Sequence, residues 1–494
     1  MSDIQQVVPA PRLSPWSPGQ GQGGFGGTDS PSELGGSPGG PPPGESTEKF
    51  RAFGARHLDE LTRRAGLSER DRLAVRAVAT VLPFRVNSYV LDELIDWDAA
   101  PDDPIYRLVF PQPDMLPAAD VDQIAGLLAS GAGPAEIHAV AHKIRMRLNP
   151  HPAGQLVLNA PSMDGRPLPG LQHKYAETVL FFPKQGQTCH AYCTYCFRWA
   201  QFVDEPELKM ATDHVDTLVT YLHKHPEVTS VLITGGDPMI MSAGVLRRYI
   251  EPLLDPSLDH VESIRIGSKS LSYWPQRYVT DNDADDTLRL FEEVSAAGRT
   301  LALMAHYSHP RELAPDITKT AISRIRSTGA VIRTQAPLIR SVNDDAAVWR
   351  EMWQAQVRLG LMPYYMFVER DTGPQDYFAV PLARAYEIFR DAYASVSGLC
   401  RSVRGPSMSA TPGKVCVDGV AEVAGQQVFV LRMLQARDPS LVGRPFFARF
   451  DPKAVWLTDL TPAFADRFPW EGDPAKLVAL SHRVSAVRPP GWPR

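Results

Sequence analysis

The sequence predicts an α/β fold with an open core of six β/α units, and three observations carry that expectation. From about Glu177 onward, short β-rich runs alternate with amphipathic segments of helical length, the pattern of a parallel sheet with crossover helices. The run Cys189-His-Ala-Tyr-Cys193-Thr-Tyr-Cys196 directly follows the first predicted strand, and Thr234-Gly-Gly-Asp-Pro238 directly follows the second. Both loops therefore fall at the carboxyl end of the sheet, where such folds place their sites.

Residues 1–48 are rich in Gly, Pro and Ser, as in Gly35-Gly-Ser-Pro-Gly-Gly-Pro-Pro-Pro-Gly44, and bury too little apolar surface to offset ordering entropy. They are expected to be a disordered tail. Residues 49–165 read as a helical lead-in, with helical periodicity near Glu69 to Leu82 followed by Pro83-Phe-Arg-Val-Asn87 and Asp102-Asp-Pro-Ile105. Residues 166–419 form the predicted core. Its strands are Val179 to Phe182, Ser230 to Ile233, Ser263 to Ile266, Thr300 to Met304, Val331 to Thr334 and Tyr364 to Val368. Its helices fall near 213–224, 243–254, 284–297, 317–327, 345–359 and 381–395. The remaining segment, 420–494, opens on the alternating run Gln427 to Met433 and ends Pro-rich; a sheet cap and an oligomer contact are both open readings.

Composition narrows the function classes. The 494 residues are 44% hydrophobic with a formal net charge of −5, and no sustained basic run or RNA-binding motif points to nucleic acid. No stretch approaches the ~18 apolar residues of a membrane span, and the N-terminus lacks the basic region and apolar core of a secretory signal. Five cysteines in this length make no disulfide framework, and Cys400 and Cys416 are expected to be free. A cytoplasmic location is expected because an oxygen-sensitive cluster needs a reducing compartment.

Three thiolates at CxxxCxxC spacing can hold three irons of a [4Fe–4S] cube and leave the fourth open to a cosubstrate, with Tyr192, Tyr195 and Phe197 interleaved to shield the cluster. Structural zinc prefers four ligands in paired motifs; no second pair lies nearby, although His190 could serve as a fourth ligand. The spacing is the hallmark of radical S-adenosylmethionine (SAM) enzymes. One strand later, the glycines of Thr234-Gly235-Gly236-Asp237 let a ligand approach the backbone, as the methionyl end of SAM requires.

Residues from roughly Leu171 to Asp418 resemble the lysine 2,3-aminomutase family. The matching blocks run in order: His173-Lys-Tyr175, the cysteine loop with Phe197-Arg198, the Thr234-Gly-Gly-Asp237 loop, Ile264-Arg-Ile-Gly-Ser-Lys269 with Pro275-Gln-Arg277, and His306-Tyr-Ser-His-Pro310. Gln335 with Val342-Asn-Asp344, Pro363-Tyr-Tyr365, and Ser397-Gly-Leu-Cys400 leading to Pro412-Gly-Lys414 complete the series. The resemblance implies a radical SAM partial (β/α)6 barrel and an isomerase that moves an α-amino group to the β-carbon. Its cofactors would be a [4Fe–4S] cluster on Cys189, Cys193 and Cys196, SAM contacted by Gly235, Gly236, Asp237 and Gln335, and pyridoxal 5′-phosphate (PLP).

By the same resemblance Lys414 carries PLP, although Thr411-Pro-Gly-Lys414 is shorter than the family's glycine-rich loop. Lys174 and Tyr175 fall where the family contacts the PLP phosphate, and Thr178 occupies a second, basic family position. Arg198 corresponds to the arginine that clamps the substrate α-carboxylate, a job suited to two parallel hydrogen bonds. The expected partners are a small amino acid and an electron donor such as flavodoxin or ferredoxin, with no nucleic acid or membrane, in a homo-oligomer.

Substrate choice is where the chain departs from the family. Lysine-specific members hold the distal ammonium with two aspartates; the first position falls on Arg370, with Asp371 beside it, and the second on Ser407 or Ala410. A cation at the far end of a desolvated pocket favours an anionic side chain, so glutamate or another acidic or polar amino acid is expected. A shift of one residue would bring Asp371 in and restore lysine. A PLP-independent radical SAM enzyme and a noncatalytic metal-binding scaffold complete the set of readings.

Overall fold

The computed structural model describes residues 49–472; the tail expected over 1–48 and the last 22 residues of the C-terminal segment lie outside the described residues. An 11-stranded sheet organises the chain, its strands lying in sequence order from one edge to the other. They are β1 (Leu171–Tyr175), β2 (Thr178–Phe181), β3 (Ser230–Ile233), β4 (Ser263–Ser268), β5 (Thr300–His306), β6 (Val331–Leu338) and β7 (Met362–Val368). After them come β8 (Arg404–Ser409), β9 (Gly413–Val423), β10 (Gln426–Ala436) and β11 (Pro445–Arg449).

From β2 through β8 each strand pairs parallel with the next. The crossovers are helices: Val215–Lys224, Ala243–Ile250, Ala284–Ala296, Asp316–Ser327, Ala346–Arg358 and Leu382–Ala394. They form because one stripe of each is apolar at helical spacing; in Asp316–Ser327, Ala321, Ile322 and Ile325 are the buried stripe. Alternation in the strands does the complementary work. In β4, Ile264, Ile266 and Ser268 are buried while Ser263, Arg265 and Gly267 are only partly covered, so one set packs into the sheet–helix core and the other turns to the opposite face.

All six expected strands and six expected helices are present. Two features were not foreseen. β1 is an antiparallel edge paired with β2, and β9 to β11 continue the same sheet in antiparallel fashion, β9 on β8, β10 on β9 and β11 on β10. Residue 419, expected as the end of the core, falls inside β9.

Before the sheet, helices Leu58–Arg64, Glu69–Val81, Pro104–Val109, Ala118–Ser130 and Pro134–Arg147 pack into a second apolar cluster that also includes Ala191, Tyr195 and Trp199 of the cysteine loop region. Ser68 caps Glu69–Val81 by accepting from the Asp71 amide at 3.2 Å, and Gly131 ends Ala118–Ser130 in the left-handed region at φ 71°. No helix among the described residues is long and apolar enough to cross a membrane.

Candidate active site

The carboxyl ends of the strands surround a cavity of about 300 Å³. All three motif cysteines line it, as do Arg198, Gly235, Gly236, Asp237, Gln335, Arg370 and Lys414. Lys174 and Tyr175 do not: the Lys174 ammonium instead donates to the Ala410 carbonyl, and its Nζ lies 5.4 Å from the centroid of the Tyr175 ring.

The cysteine loop is held by the preceding helical region as much as by the sheet. Tyr192 N donates to Arg85 O at 2.8 Å and Thr194 N to Leu108 O at 2.9 Å. Asn87 Nδ2 donates both to His190 O at 3.2 Å and to Tyr273 O at 2.8 Å. The thiols are half-buried and unpaired. Burial, then the Cys193 thiol, push Cys196 up to about 12, and burial raises Cys189 and Cys193 as well. Three thiolates here need a metal cation to offset their charge.

Among the described residues, the metal-capable side chains whose ligand atoms lie within 4.8 Å of one another are His142, Glu205 and Glu207. Cys189, Cys193 and Cys196 do not form such a group, so at least one pair of their sulfurs stands further apart than two ligands of one zinc ion, each about 2.3 Å from the metal, would. A polynuclear cluster with one thiolate per iron does not require all three sulfurs to meet at one ion. The Glu205 carboxylate is already committed to Arg145 at 2.6 Å and His142 at 2.7 Å.

The glycine turn after β3 is packed against the residue that precedes Cys189. A Cβ at Gly236 would stand 2.4 Å from Thr188 O and 2.6 Å from Thr188 N, while Asp237 N donates to Thr188 O at 2.7 Å. Only glycine permits this approach. Asp237 uses its carboxylate to accept from the amides of Met239 at 3.0 Å and Lys269 at 2.9 Å, so it shapes the turn and leaves the glycine backbone to face the cavity. Across the cavity Gln335 Nε2 and His306 Nε2 are 2.8 Å apart, and burial lowers His306 to about 3, a neutral ring.

The charge of the cavity is mostly positive and mostly unpaired. Arg198 donates from Nη1 to Thr234 Oγ1 at 2.7 Å, but its Nε is buried without a partner. Arg370 follows β7, and its guanidinium lies 4.8 Å from the centroid of the Phe197 ring, the same distance as Arg198. No carboxylate forms an ion pair with Arg370 among the described residues, and its Nε too is buried and unsatisfied. Burial lowers both guanidiniums, Arg198 to about 10. Lys414 on β9 lies 4.0 Å from the Tyr365 ring centroid; burial first, then Arg404, Arg265 and Arg370, lower it to about 7. An amine of that kind is poised to capture a carbonyl.

Asp371 does not line the cavity, whereas Arg370 does. Two lining residues escaped the sequence reading. Glu369 contributes a buried carboxyl raised to about 8 by burial, and Arg265 reaches the cavity from the middle of β4. A signal for Arg265 existed: central parallel strands are apolar on both faces, so an arginine between two isoleucines marks a strand face that serves a site.

No family model matches the chain. Among curated proteins, it is 30% identical over 401 residues to a protein of Aquifex aeolicus named "Putative L-lysine 2,3-aminomutase", covering 81% of this chain and 93% of that one. It is 29% identical over 234 residues to the L-lysine 2,3-aminomutase of Clostridium subterminale, covering 47% of this chain and 53% of that enzyme; the chain thus spans about half the length of this second relative. Among solved structures, a radical SAM methyltransferase from Sphaerobacter thermophilus matches at 14% identity with a TM-score of 0.30, over 47% of this chain and 68% of that one, a likeness too slight to carry an argument.

Proposed function

The chain belongs to the lysine 2,3-aminomutase family, and from that premise we propose that it is a radical SAM, PLP-dependent amino acid 2,3-aminomutase acting on an acidic amino acid, with glutamate the leading candidate. Family membership makes the protein an isomerase that moves an amino group between carbons. We read its core, residues 166–419, as an open (β/α)6 partial barrel with the site at its carboxyl end.

Cys189, Cys193 and Cys196 would hold a [4Fe–4S] cluster, the Gly235-Gly236 backbone and Gln335 would receive SAM, and Lys414 would carry PLP. When bound, the cluster and SAM supply a hydrogen-abstracting radical, and PLP supplies a carbonyl that carries the amino group between adjacent carbons. The remaining work falls to the protein's own side chains. Arg198 grips the α-carboxylate, and its bond to Thr234 fixes the direction of the guanidinium. Phe197, Tyr365 and Phe367 exclude water and hold the cationic groups over their faces. Lys414 is half neutral near pH 7, so it can bond to a carbonyl without a separate base.

The observation that carries the substrate reading is Arg370, a half-buried cavity guanidinium whose Nε is buried and unsatisfied and which makes no ion pair among the described residues, although the Asp371 carboxyl stands near enough to act on its charge. Leaving such a charge unpaired costs several kcal/mol, which an anionic side chain relieves. Lysine would bring a second cation to that end of the cavity. The names of the relatives favour lysine, and Glu369 is the one carboxyl near Arg370 that lines the cavity, but burial keeps it protonated at neutral pH.

The test is an anaerobic reaction of reconstituted protein with SAM, PLP and reductant against glutamate, aspartate, glutamine, lysine and arginine, with β-isomers resolved by mass spectrometry. β-Glutamate is the expected product. β-Lysine would retain the reaction class and overturn the role given to Arg370. Unchanged isomerisation after Lys414→Ala, with no PLP bound, would favour the PLP-independent alternative.

A further inference from the structure

Arg265 is a half-buried cation, its Nε fully buried, for which neither the α-carboxylate nor the substrate side chain accounts. Its neighbours Ile264 and Ile266 are buried in the sheet–helix core, so its side chain leaves the other face of β4 and lines the cavity. One guanidinium nitrogen, Nη2, donates to Thr178 Oγ1 on β2 at 3.3 Å, a long bond, and Nε is buried with no partner. No carboxylate forms an ion pair with it among the described residues. Arg404 stands nearby, its guanidinium 4.3 Å from the ring centroids of both Tyr364 and Tyr365. Both arginines act on Lys414 as positive neighbours, and no carboxylate offsets them there.

A buried cluster of unpaired cations is costly until an anion enters it. The cavity presents three such demands: Arg198, Arg370 and the group around Arg265. With the α-carboxylate on Arg198 and the side chain on Arg370, the remaining anion must be brought by whatever Lys414 holds. We propose that Arg265, oriented by Thr178, is the phosphate clasp for the cofactor on Lys414. This rests on the reading of Lys414 as the PLP lysine. The clasp explains how a chain with threonine at position 178 and with Lys174 turned to Ala410 still presents a guanidinium on this side of the cavity.

The experiment compares PLP with pyridoxal, which has the same carbonyl but no phosphate. Equilibrium binding to the full-length protein is read from the visible absorption of bound cofactor, and borohydride reduction followed by peptide mass spectrometry locates the adduct. The wild type should prefer PLP strongly. With both affinities corrected for the neutral fraction of Lys414, which Arg265 helps to set, Arg265→Gln should lose about 10- to 100-fold in PLP affinity while pyridoxal affinity changes less than about two-fold. Thr178→Arg added to Arg265→Gln should recover most of the loss, because the new guanidinium would start from the residue that Arg265 touches.

An unchanged PLP-to-pyridoxal ratio in Arg265→Gln overturns the clasp and leaves Lys414 as the PLP lysine. Failure of the wild type to bind PLP, with no adduct on Lys414, overturns the functional reading itself. If Arg265→Gln does not fold, Arg265→Lys is read instead; a reduced PLP affinity with unaltered pyridoxal affinity supports the clasp, and an unaltered ratio overturns it.

Discussion

Lys414 is surrounded by arginines and aromatic faces, and that environment makes a pH prediction. The neutral amine is the form that captures a carbonyl. With burial and Arg404, Arg265 and Arg370 lowering the group to about 7, borohydride trapping of PLP on Lys414 in the apoprotein should rise with pH and reach half its plateau near pH 7. A half-point near 10 would mean that the ammonium is solvated. Linkage gives the accompanying sign: between about 7 and the ordinary lysine value of 10.5 the folded state binds fewer protons than the unfolded, so Lys414's contribution to stability grows as pH rises through that window. Glu369 titrates in the opposite sense for function. Protonated below about 8, it leaves Arg370 free for a substrate carboxylate; ionised above it, it competes. KM for glutamate should climb above pH 8, and Glu369→Gln should flatten that climb. Arg370→Gln should raise KM for glutamate by about 10- to 100-fold, measured by initial rates of β-isomer formation, and an unchanged KM would remove Arg370 from the substrate.

At the scale of elements, β9 and β10 bring Lys414 to the cavity, and their pairing tolerates nothing beyond glycine before it. Gly413 is paired with Ala436, and a Cβ there would stand 2.2 Å from Gln435 O and 2.9 Å from Ala436 Cα, both backbone atoms. Gly413→Ala should open this end of the ladder, cost about 1–3 kcal/mol in denaturant unfolding, and weaken PLP binding; full retention of both would show that the strand ends yield freely. The six β/α units were legible because their segments carry local patterns, as the alternation of Ser263–Ser268 and the apolar stripe of Asp316–Ser327 do. The antiparallel continuation was not, because a strand's direction and neighbour are set by long-range pairing: the run Gln427 to Met433 reads as a strand alone but does not say that it lies on Val415 and Val417. The cysteine and glycine loops were legible through residue type and spacing. Arg265 and Glu369 were less so, since the meaning of a charged residue in the middle of β4 or just past the end of β7 depends on which face of the sheet it serves.

At the scale of the whole described unit, the sheet and its crossover helices build one apolar cluster, and the cysteine loop packs into the other, with the preceding helices, through Ala191, Cys193 and Tyr195. Asn87 joins them. Its side chain donates to carbonyls on the cysteine loop and at Tyr273, 103 and 186 residues away in sequence, and accepts from the Val90 amide at 2.9 Å. No local pattern in the sequence announces such a tie. Asn87→Ala would strand two buried carbonyls and an amide, each worth about 1–3 kcal/mol when left unpaired, and would loosen the loop without touching a cysteine. The expected result is a protein that keeps its helix and strand content by circular dichroism, unfolds at lower denaturant, and after anaerobic reconstitution loses iron to a chelator several-fold faster than the wild type. Equal iron-loss rates would show that the Asn87 side chain is dispensable and that the Arg85 and Leu108 carbonyls, with the sheet, suffice to hold the loop. Faster iron loss with unchanged stability in denaturant would place the effect at the cluster loop itself, where Asn87 meets His190 O.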